Sequence, residues 1–271
     1  MTIARHMLNT SDVQCDSPSF DVADMKVERP LIAHPHSAQI LRVSASAKWS
    51  SHVISLSLFS ITAQGRKIAD HATCSVKIST SQQWLQDWKR NSYLIKGRIK
   101  TLHAGVDNGN AHKMKRGIVY KLFSALVDYS SAYQGMQEVV LDSDELEATA
   151  QVSFGIAAED FIFNPCWIDS LGHIAGFIMN GNDNVESKDQ VFVNHGWERM
   201  RCATNFNMGR KYQTYNKMQF VSGTMYSGDT YILDEGDVVA IFEGVKVSMG
   251  SFHDGALTNL LSVPRRAPLS T

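Results

Sequence analysis

Residues 164–173 place a carboxylate and an imidazole inside an otherwise apolar segment. The segment reads Asn-Pro-Cys-Trp-Ile-Asp-Ser-Leu-Gly-His, and apolar residues continue after it, which predicts a helix. Asp169 and His173 are four residues apart, so on a helix they share a face and can contact each other. Such a pair is a candidate acid/base site. Alternatively, Asp169 lies in the first turn as a cap, where a carboxylate interacts favourably with the helix dipole.

The same predicted helix carries a polar stripe and an apolar stripe. Positions 169, 173, 176 and 180 are Asp, His, Gly and Asn, whereas positions 168, 171, 175 and 178 are Ile, Leu, Ala and Ile. If a sheet covers the apolar stripe, the polar stripe faces a cavity or solvent. Gly172 and Gly176 would let backbone or substrate approach the helix closely.

A second polar cluster, Asn194-His195-Gly196-Trp197, follows a segment of alternating valines. Asn194 could hold a water or a carbonyl oxygen, or it could be a turn residue at the end of a strand. His34 and His36 flank a proline, and we interpret them as exposed histidines rather than metal ligands. The chain contains neither a G-x-S-x-G nucleophile motif nor a G-x-G-x-x-G dinucleotide motif.

Composition limits the classes of function. The chain has 271 residues, 44% hydrophobic and 20% charged, with a net charge of -1, which is ordinary for a soluble protein of one or two domains. This balance gives no general attraction to nucleic acid or to a membrane, and no apolar run is long enough for a transmembrane helix. The four cysteines are scattered, so neither a metal site nor a disulfide framework is predicted, and a reduced cytoplasmic compartment is expected.

The positions of the predicted elements suggest how these residues are brought together. Residues 1–8 resemble the end of an amphipathic helix, and residues 9–24 a loop. Strands are predicted at 25–33, 39–48, 52–62 and 66–78, with a bulge near Phe59 and a hairpin turn at Gln64-Gly65. Helices are predicted at 82–94 and 114–130, the second from the helical spacing of Ile118, Leu122, Ala125 and Leu126. The basic residues Lys113, Lys115 and Arg116 are interpreted as a solvated helix end, although they could contact an acidic partner.

The second part repeats this plan. Strands at 138–155 precede the Asp169 helix, and strands at 190–202, 212–221, 224–233 and 238–249 follow it. The pattern favours an α+β double hot-dog, in which two long helices are each wrapped by an antiparallel sheet. We divide the chain into an N-terminal hot-dog at 1–110, a C-terminal hot-dog at 111–250 and a tail or linker at 251–271. The first hot-dog is expected to be incomplete, because residues 1–8 lack a helix start signal.

The chain resembles the product template domain of fungal non-reducing polyketide synthases, most strongly over residues 113–250. The resemblance rests on Lys-Met-Lys-Arg-Gly at 113–117, Tyr-Lys-Leu-Phe-Ser-Ala-Leu-Val-Asp-Tyr at 120–129, Tyr-Gln-Gly-Met at 133–136, Phe-Asn-Pro at 163–165, Trp-Ile-Asp-Ser-Leu-Gly-His at 167–173, Gly-Phe-Ile-Met-Asn at 176–180, Gln-Val-Phe-Val-Asn-His-Gly-Trp at 190–197, and residues 212–231.

This resemblance implies a dehydratase-related double hot-dog and a reaction. A poly-β-keto chain, carried on the phosphopantetheine of an acyl carrier protein, is closed by regioselective aldol condensation and loses water to become aromatic. A histidine acts as the base, and Asp169 matches its aspartate partner. His173, Asn194 and Ser170 are predicted to line the substrate pocket. No cofactor or metal of its own is implied. The implied partners are the loaded carrier protein and other synthase domains, and a homodimer is an open alternative.

One departure from the family pattern bears on activity. The family's catalytic histidine precedes a helix that ends like residues 1–8, so we expect an N-terminally truncated domain with half of the catalytic pair. His6 lies too far along that helix to substitute, and His52 and His71 lie on predicted strands. The sequence therefore leaves two hypotheses, a polyketide cyclase with Asp169 as its carboxylate, or an inactive remnant or non-catalytic polyketide-binding module.

Overall fold

The computed structural model describes residues 1–11, 18–29, 31, 38–124, 127–157, 161–185 and 190–251. Four helices and eleven strands are described over these ranges. The helices are α1 (Thr2–Asn9), α2 (Ser81–Asp107), α3 (Arg116–Phe123) and α4 (Pro165–Asn180). The strands are β1 (Ser19–Val27), β2 (Ile40–Lys48), β3 (Val53–Ile61), β4 (Lys67–Ser79), β5 (His112–Lys115), β6 (Met136–Asp142), β7 (Glu147–Val152), β8 (Gln190–Cys202), β9 (Tyr212–Ser222), β10 (Met225–Asp234) and β11 (Asp237–Ser251).

All eleven strands form one sheet, in the order β2-β3-β4-β1-β8-β11-β10-β9-β7-β6-β5. The first part of the chain supplies β1–β4 and the second part supplies β5–β11, and the antiparallel pairing of β1 with β8 joins them. A side-chain contact reinforces this junction, because Arg199 Nη2 on β8 lies 2.6 Å from Oδ2 of the buried Asp21 on β1. The predicted division at residue 110 falls between α2 and β5, within this continuous sheet.

Three of the four strands predicted as an antiparallel meander are confirmed as β2, β3 and β4. The strand predicted at 25–33 is wrong in its place and bounds, because β1 ends at Val27 and pairs with β4 and β8 rather than with β2. The predicted bulge is also present, since the pairing of β3 with β4 shifts between Leu58 and Phe59. Gly65 has a φ of 82° in the predicted hairpin turn, a conformation that glycine adopts without steric cost. The predicted loop at 9–24 is wrong from Ser19 onward, where β1 begins. Pairing with strands on both sides outweighs the polar composition of that segment.

Helix α2 packs on one face of the sheet and α4 on the opposite face. Consecutive residues of a strand point to opposite faces, and on β11 Ile241 belongs to the cluster under α2 while Phe242 belongs to the core around α4. Trp84 and Trp88 attach the start of α2 to the sheet, with the guanidinium of Arg201 5.6 Å and 5.3 Å from their ring centroids. Beneath the middle of α2, Arg98 pairs through two nitrogens with the fully buried carboxylate of Glu147.

The helix predicted at 114–130 is shorter than expected and begins later. Residues 112–115 pair with β6 as a strand, which places Lys113 and Lys115 beside Glu138 and corrects their interpretation as a helix end. Helix α3 then buries Val119, Tyr120 and Phe123, whereas Ile118 and Leu122 of the apolar spacing are exposed. Ala125 and Leu126 lie outside the described residues. The buried face of α3 is therefore rotated by one residue relative to the face predicted by the helical spacing.

Helix α4 lies in the concave face of the second group of strands and contacts β6 to β11. Its buried residues Leu171, Ile174, Phe177 and Ile178 form the centre of the main core. Helix α1 occupies the corresponding place in the first group, where Ala4 is buried and the guanidinium of Arg5 lies over the Phe20 ring. The predicted α+β double hot-dog is confirmed, although the helix of the first hot-dog has 8 residues rather than being long.

Some sequence predictions fall beyond the described ranges. His34 and His36 lie outside the described residues, as does the predicted tail from residue 252 onward. No helix within the described ranges has both the length and the apolar character needed to span a membrane.

Candidate active site

The start of α4 is fixed by residues that precede Asp169. The side-chain oxygen of Asn164 accepts a hydrogen bond from the backbone N–H of Cys166 at 2.8 Å, and Pro165 occupies the first helical position. Asp169 is thus the fifth residue of the helix, and the prediction that it lies in the first turn is wrong. Because Asn164 supplies the cap, capping does not explain a carboxylate at position 169.

Asp169 and His173 are in contact, as their spacing predicts. His173 Nε2 lies 2.8 Å from Asp169 Oδ2. The two side chains differ in environment, since that of Asp169 is 46% exposed and that of His173 only 3% exposed. The imidazole therefore holds one carboxylate oxygen from inside the core, and the second oxygen remains available to a molecule in solvent or in a cavity.

A third residue, Tyr120 on α3, sets the proton arrangement of this pair. Its hydroxyl oxygen accepts from the backbone N–H of Met136 at 3.0 Å and lies 3.2 Å from His173 Nδ1. Burial raises the pKa of Tyr120, so the hydroxyl stays protonated and can donate. If it donates to Nδ1, the imidazole proton is on Nε2, which then donates to Asp169. The Tyr120 hydroxyl also lies 3.4 Å from the backbone carbonyl oxygen of Tyr133, a second possible acceptor for its proton. The chain Met136–Tyr120–His173–Asp169 therefore positions the imidazole and one carboxylate oxygen.

This chain of hydrogen bonds opens onto a mostly apolar cavity of about 770 Å³. The cavity lies between α4, strands β8 and β11, and the start of α1. Aromatic residues and valines make up much of its wall. The lining residues are Met1, Thr2, Ile3, Phe123, Val127, Tyr129, Phe161, Phe163, Pro165, Ile168, Asp169, Gly172, His173, Gly176, Asn180, Val191, Phe192, Val193, Asn194, Trp197, Met200, Phe242, Val245 and Val247.

Three of the four predicted site residues line this cavity, and the polar stripe of α4 faces it as predicted. Asp169, His173 and Asn194 are brought together there. Ser170 is not among the lining residues. It is buried, its hydroxyl donates to the backbone carbonyl of Tyr133 at 2.9 Å, and it packs so closely that a Cβ at Gly135 would lie 2.6 Å from its own Cβ. The structure therefore places Ser170 in the packing behind the cavity wall.

Asn194 occupies a bulge in the middle of β8, so the interpretation of a turn at a strand end is wrong. Along the pairing with β11, Lys246 opposes Gly196 and Val247 opposes Asn194, which leaves His195 without an opposite residue. The side-chain oxygen of Asn194 accepts from the backbone N–H of Gly196 at 2.6 Å. This bond stabilises the bulge, and the amide nitrogen of Asn194 is the group left to face the cavity.

Asn180 attaches the end of α4 to the sheet. Its side-chain oxygen accepts from the backbone N–H of Phe192 at 2.8 Å, and its side-chain nitrogen donates to the Phe192 carbonyl and the Gly176 carbonyl, each at 3.0 Å. Every polar group of this amide is thereby used within the protein. The spacing between α4 and β8, and with it the width of the cavity, is set in part by this side chain.

The aromatic residues around the imidazole were not predicted from the sequence. The Tyr129 ring centroid lies 4.3 Å from that of His173, and the Phe123 ring centroid lies 5.6 Å from it. Burial raises the pKa of Tyr129, so its phenol is neutral. The position of Tyr120 among apolar residues of a predicted helix was the available signal, because a buried tyrosine hydroxyl needs a partner.

The arrangement supports proton transfer at Asp169 more readily than at His173. Both imidazole nitrogens have partners, whereas the carboxylate is about half exposed to the cavity. Within the described lining, His173 is the only imidazole. No cluster of three or more potential metal-ligating side chains is found among the described residues.

Comparison with known families gives one match that covers more than half of the chain. The family described as "Polyketide synthase dehydratase N-terminal domain" matches residues 105–256. The chain is 49% identical over 248 residues to the non-reducing polyketide synthase phnA of Penicillium herquei. It is 45% identical over 245 residues to the conidial yellow pigment biosynthesis polyketide synthase melA of Penicillium expansum. Each alignment covers 90% of this chain but only 11% of the synthase.

Solved structures of dehydratase domains share the fold. The dehydratase domain from the CurJ module of curacin polyketide synthase aligns with a TM-score of 0.66 and 14% identity, covering 92% of this chain and 79% of that chain. The dehydratase domain of PpsC from Mycobacterium tuberculosis aligns with a TM-score of 0.63 and 11% identity, covering 92% and 80%. At these identities the likeness concerns the fold alone.

Proposed function

We propose that this chain, which belongs to the polyketide synthase dehydratase family, directs regioselective aldol cyclisation and aromatisation of a carrier-bound poly-β-keto chain. The observation that carries the proposal is the Asp169 carboxylate, held by His173 in the wall of a cavity of about 770 Å³. The relatives that match 90% of the chain are fungal non-reducing polyketide synthases. Because the chain spans about a tenth of their length, their activities support the proposal only by analogy.

The chemistry requires few groups from the protein. A base removes a proton from a CH₂ between two carbonyls, and the resulting enolate carbon forms a bond to a carbonyl carbon further along the same chain. The oxygen of that carbonyl takes up a proton, and loss of water from the aldol product leads to the aromatic ring. Asp169 is suited to accept and return protons in these steps, because one carboxylate oxygen is fixed by His173 while the other faces the cavity.

The cavity supplies the selectivity in this proposal. Its volume lies within the range of about 300–1,000 Å³ that is usual for small-molecule sites. Apolar walls exclude water, and a folded chain held against them brings two chosen carbons together, which replaces a random encounter by a preset one. The substrate would enter on the phosphopantetheine of an acyl carrier protein, with other synthase domains as partners and no further cofactor. Association with a second copy of the chain stays a prediction.

One observation favours an alternative, a module that binds a polyketide without catalysing its cyclisation. The base that the family resemblance implies is a histidine other than His173, and no second imidazole lines the described part of the cavity. His173 itself is bonded through both nitrogens. Under this alternative the cavity holds the chain, and removal of the Asp169 charge has no effect on the products.

The two functions are separated by replacing Asp169 with asparagine. Purified protein is added to a ketosynthase and acyl carrier protein that generate a poly-β-keto chain, and aromatic products are quantified by liquid chromatography and mass spectrometry. Asp169→Asn keeps the side-chain shape but removes the proton-accepting charge, so we expect the rate of product formation to fall by about 10²- to 10⁴-fold.

The matched control is Asp107→Asn, which makes the same change on the exposed end of α2. It is expected to behave as the wild type. Equal product formation by Asp169→Asn and the wild type would reject Asp169 as the catalytic carboxylate. If the wild-type protein gives the same products as a reaction without it, yet binds the loaded carrier protein, the binding module is the better description.

A further inference from the structure

Two glycines lie on the cavity-facing side of α4, and their surroundings differ. A Cβ added at Gly172 would lie 3.7 Å from the Phe242 ring, an ordinary contact, so this ring already occupies the space beside Gly172. A Cβ added at Gly176 would have no atom within 4 Å. Both residues line the cavity. The helix surface at Gly176 is therefore bare backbone that faces open cavity.

The helix surface at Gly176 offers no free hydrogen-bonding group to a ligand, although it consists of backbone. The Gly176 carbonyl accepts from the side chain of Asn180 at 3.0 Å, in addition to its place in the helix. The cavity wall also includes Val191, Val245 and Val247, whose side chains present hydrocarbon only. A ligand segment beside Gly176 and these valines therefore meets no unpaired polar group of theirs. This part of the cavity suits a part of the substrate chain that does not react.

The distance between Asp169 and Gly176 along α4 sets the length of substrate chain that fits between them. Gly176 is seven residues after Asp169, which corresponds to about 10 Å along the helix axis. An extended chain advances about 3.5 Å for every three backbone bonds, so this length of helix accommodates about nine bonds. A chain that runs along α4 thus places a defined carbon beside Asp169, and the free space at Gly176 determines how far the chain can pass.

We propose that Gly176 is a specificity-determining residue, which by lacking a side chain lets the substrate chain lie along α4 and so sets which carbons reach Asp169. The inference rests on the proposed function for the identity of the substrate, but the space at Gly176 predicts a chain-length effect on binding that does not depend on catalysis. A side chain at this position would begin in open space, since its Cβ would have no protein atom within 4 Å, and would shorten the usable cavity.

The first measurement is binding. N-acetylcysteamine thioesters of hexanoic, octanoic, decanoic and dodecanoic acid are titrated by calorimetry into the wild-type protein, Gly176→Ala and Gly176→Leu. We expect Gly176→Leu to weaken binding of the two longest thioesters by about tenfold, the effect of leaving two methylene groups unburied, and to leave the hexanoyl thioester unchanged. Gly176→Ala is expected to give a smaller shift in the same direction.

The matched control is Gly97→Ala. Gly97 lies inside α2, is exposed and likewise has no atom within 4 Å of an added Cβ. It reproduces the effect of replacing a helical glycine without altering the cavity, so its affinities should equal those of the wild type. Thermal melting of each variant identifies any that fails to fold.

The second measurement is the ring pattern of the products in the cyclisation assay. Loss of products in Asp169→Asn together with a changed product distribution in Gly176→Leu supports both the function and the inference. Loss in Asp169→Asn with an unchanged distribution and unchanged chain-length preference in Gly176→Leu overturns the inference and leaves the function standing. If the wild-type protein does not cyclise the substrate, the proposed function fails. The role of Gly176 is then tested by the calorimetric series alone. An unchanged preference, or no binding of any thioester by the wild type, then overturns the role of Gly176.

Discussion

Replacing Tyr120 with phenylalanine removes one oxygen from the hydrogen-bond chain that orients Asp169. That oxygen accepts from Met136 N–H at 3.0 Å and lies 3.2 Å from His173 Nδ1. Without it, the buried N–H loses its acceptor and the imidazole loses its hydrogen-bond partner at Nδ1. The substitution should therefore affect both the stability of the protein and its catalytic rate.

The two effects have different expected sizes. A buried N–H without an acceptor costs about 1–3 kcal/mol in the free energy of unfolding. Loss of a partner that orients a functional side chain typically costs about 10- to 100-fold in activity, or about 1.4–2.7 kcal/mol in activation free energy. Because Tyr120 does not itself line the cavity, we expect kcat to fall by this factor while KM stays near the wild-type value.

The chain offers a matched control in Tyr212. This tyrosine is also buried in the main core, and its hydroxyl oxygen accepts from the backbone N–H of Asn207 at 2.8 Å, but it lies outside the cavity lining. Tyr212→Phe should also lower the free energy of unfolding, measured by urea denaturation, although by less than Tyr120→Phe, because Asn207 is exposed and water can replace the lost acceptor. It should leave the rate of cyclisation unchanged at a temperature where both variants are folded.

The comparison of the two variants decides the matter. If Tyr120→Phe loses stability as Tyr212→Phe does but keeps full activity, Tyr120 contributes only to packing, and the proton arrangement inferred for Asp169 and His173 is incorrect. Equal losses of activity in both variants would point to general destabilisation and would equally refute the specific role of Tyr120.

Two further predictions concern stability. Arg98→Met removes the cationic partner of the fully buried carboxylate of Glu147 and leaves it only the Tyr215 hydroxyl. It should lower the free energy of unfolding by about 3 kcal/mol, the lower end of the range for a buried pair, because the Arg98 side chain is 44% exposed and Tyr215 still donates to Glu147. The control Lys217→Met removes a more exposed pair with Glu145 and should give a much smaller loss, so equal losses would contradict the argument. Burial raises the pKa of the Cys202 thiol from 9.0 to about 12, so between these pH values the unfolded chain releases a proton that the folded protein keeps. The stability advantage of the wild type over Cys202→Ala should therefore shrink by about 1.4 kcal/mol per pH unit over that interval, and a constant difference in urea denaturation across it would rule this out.

Elements with a local signal could be predicted from the sequence. The last three strands, β9, β10 and β11, are separated by turn-type residues, and every predicted bound lies within two residues of the observed one. The bulge near Phe59 was visible as a shift in the alternation of apolar residues. These features depend on neighbouring residues, so the sequence contains the information that defines them.

Elements that depend on distant partners could not be predicted in this way. The start of β1 contains Asp21, which is typical of a loop, and its partner Arg199 lies 178 residues further along the chain. The same limit applies to the site. The contact of Asp169 with His173 follows from helical spacing, but that of Tyr120 with His173 spans 53 residues and results from the packing of α3 on α4.

The error at Ser170 has a geometric reason. Successive residues of a helix are rotated by about 100°, so the neighbour of a cavity-facing residue points elsewhere. Asp169 faces the cavity, and Ser170 consequently faces the packing against Gly135. Adjacency in the sequence, which suggested Ser170 as a pocket residue, is a poor guide on a helix, whereas a spacing of three or four residues is a good one.

The pairing of β1 with β8 has a consequence for recombining this domain with its relatives. A crossover near residue 110 would take β1 from one parent and β8 from the other. The two strands, and the residues at positions 21 and 199, would then come from different proteins that did not evolve to pair with each other. An exchange of β5 and β6, at the far end of the sheet, leaves that junction intact. Chimeras should therefore inherit β1 and β8 together, even though more than 160 residues separate the two strands in the chain.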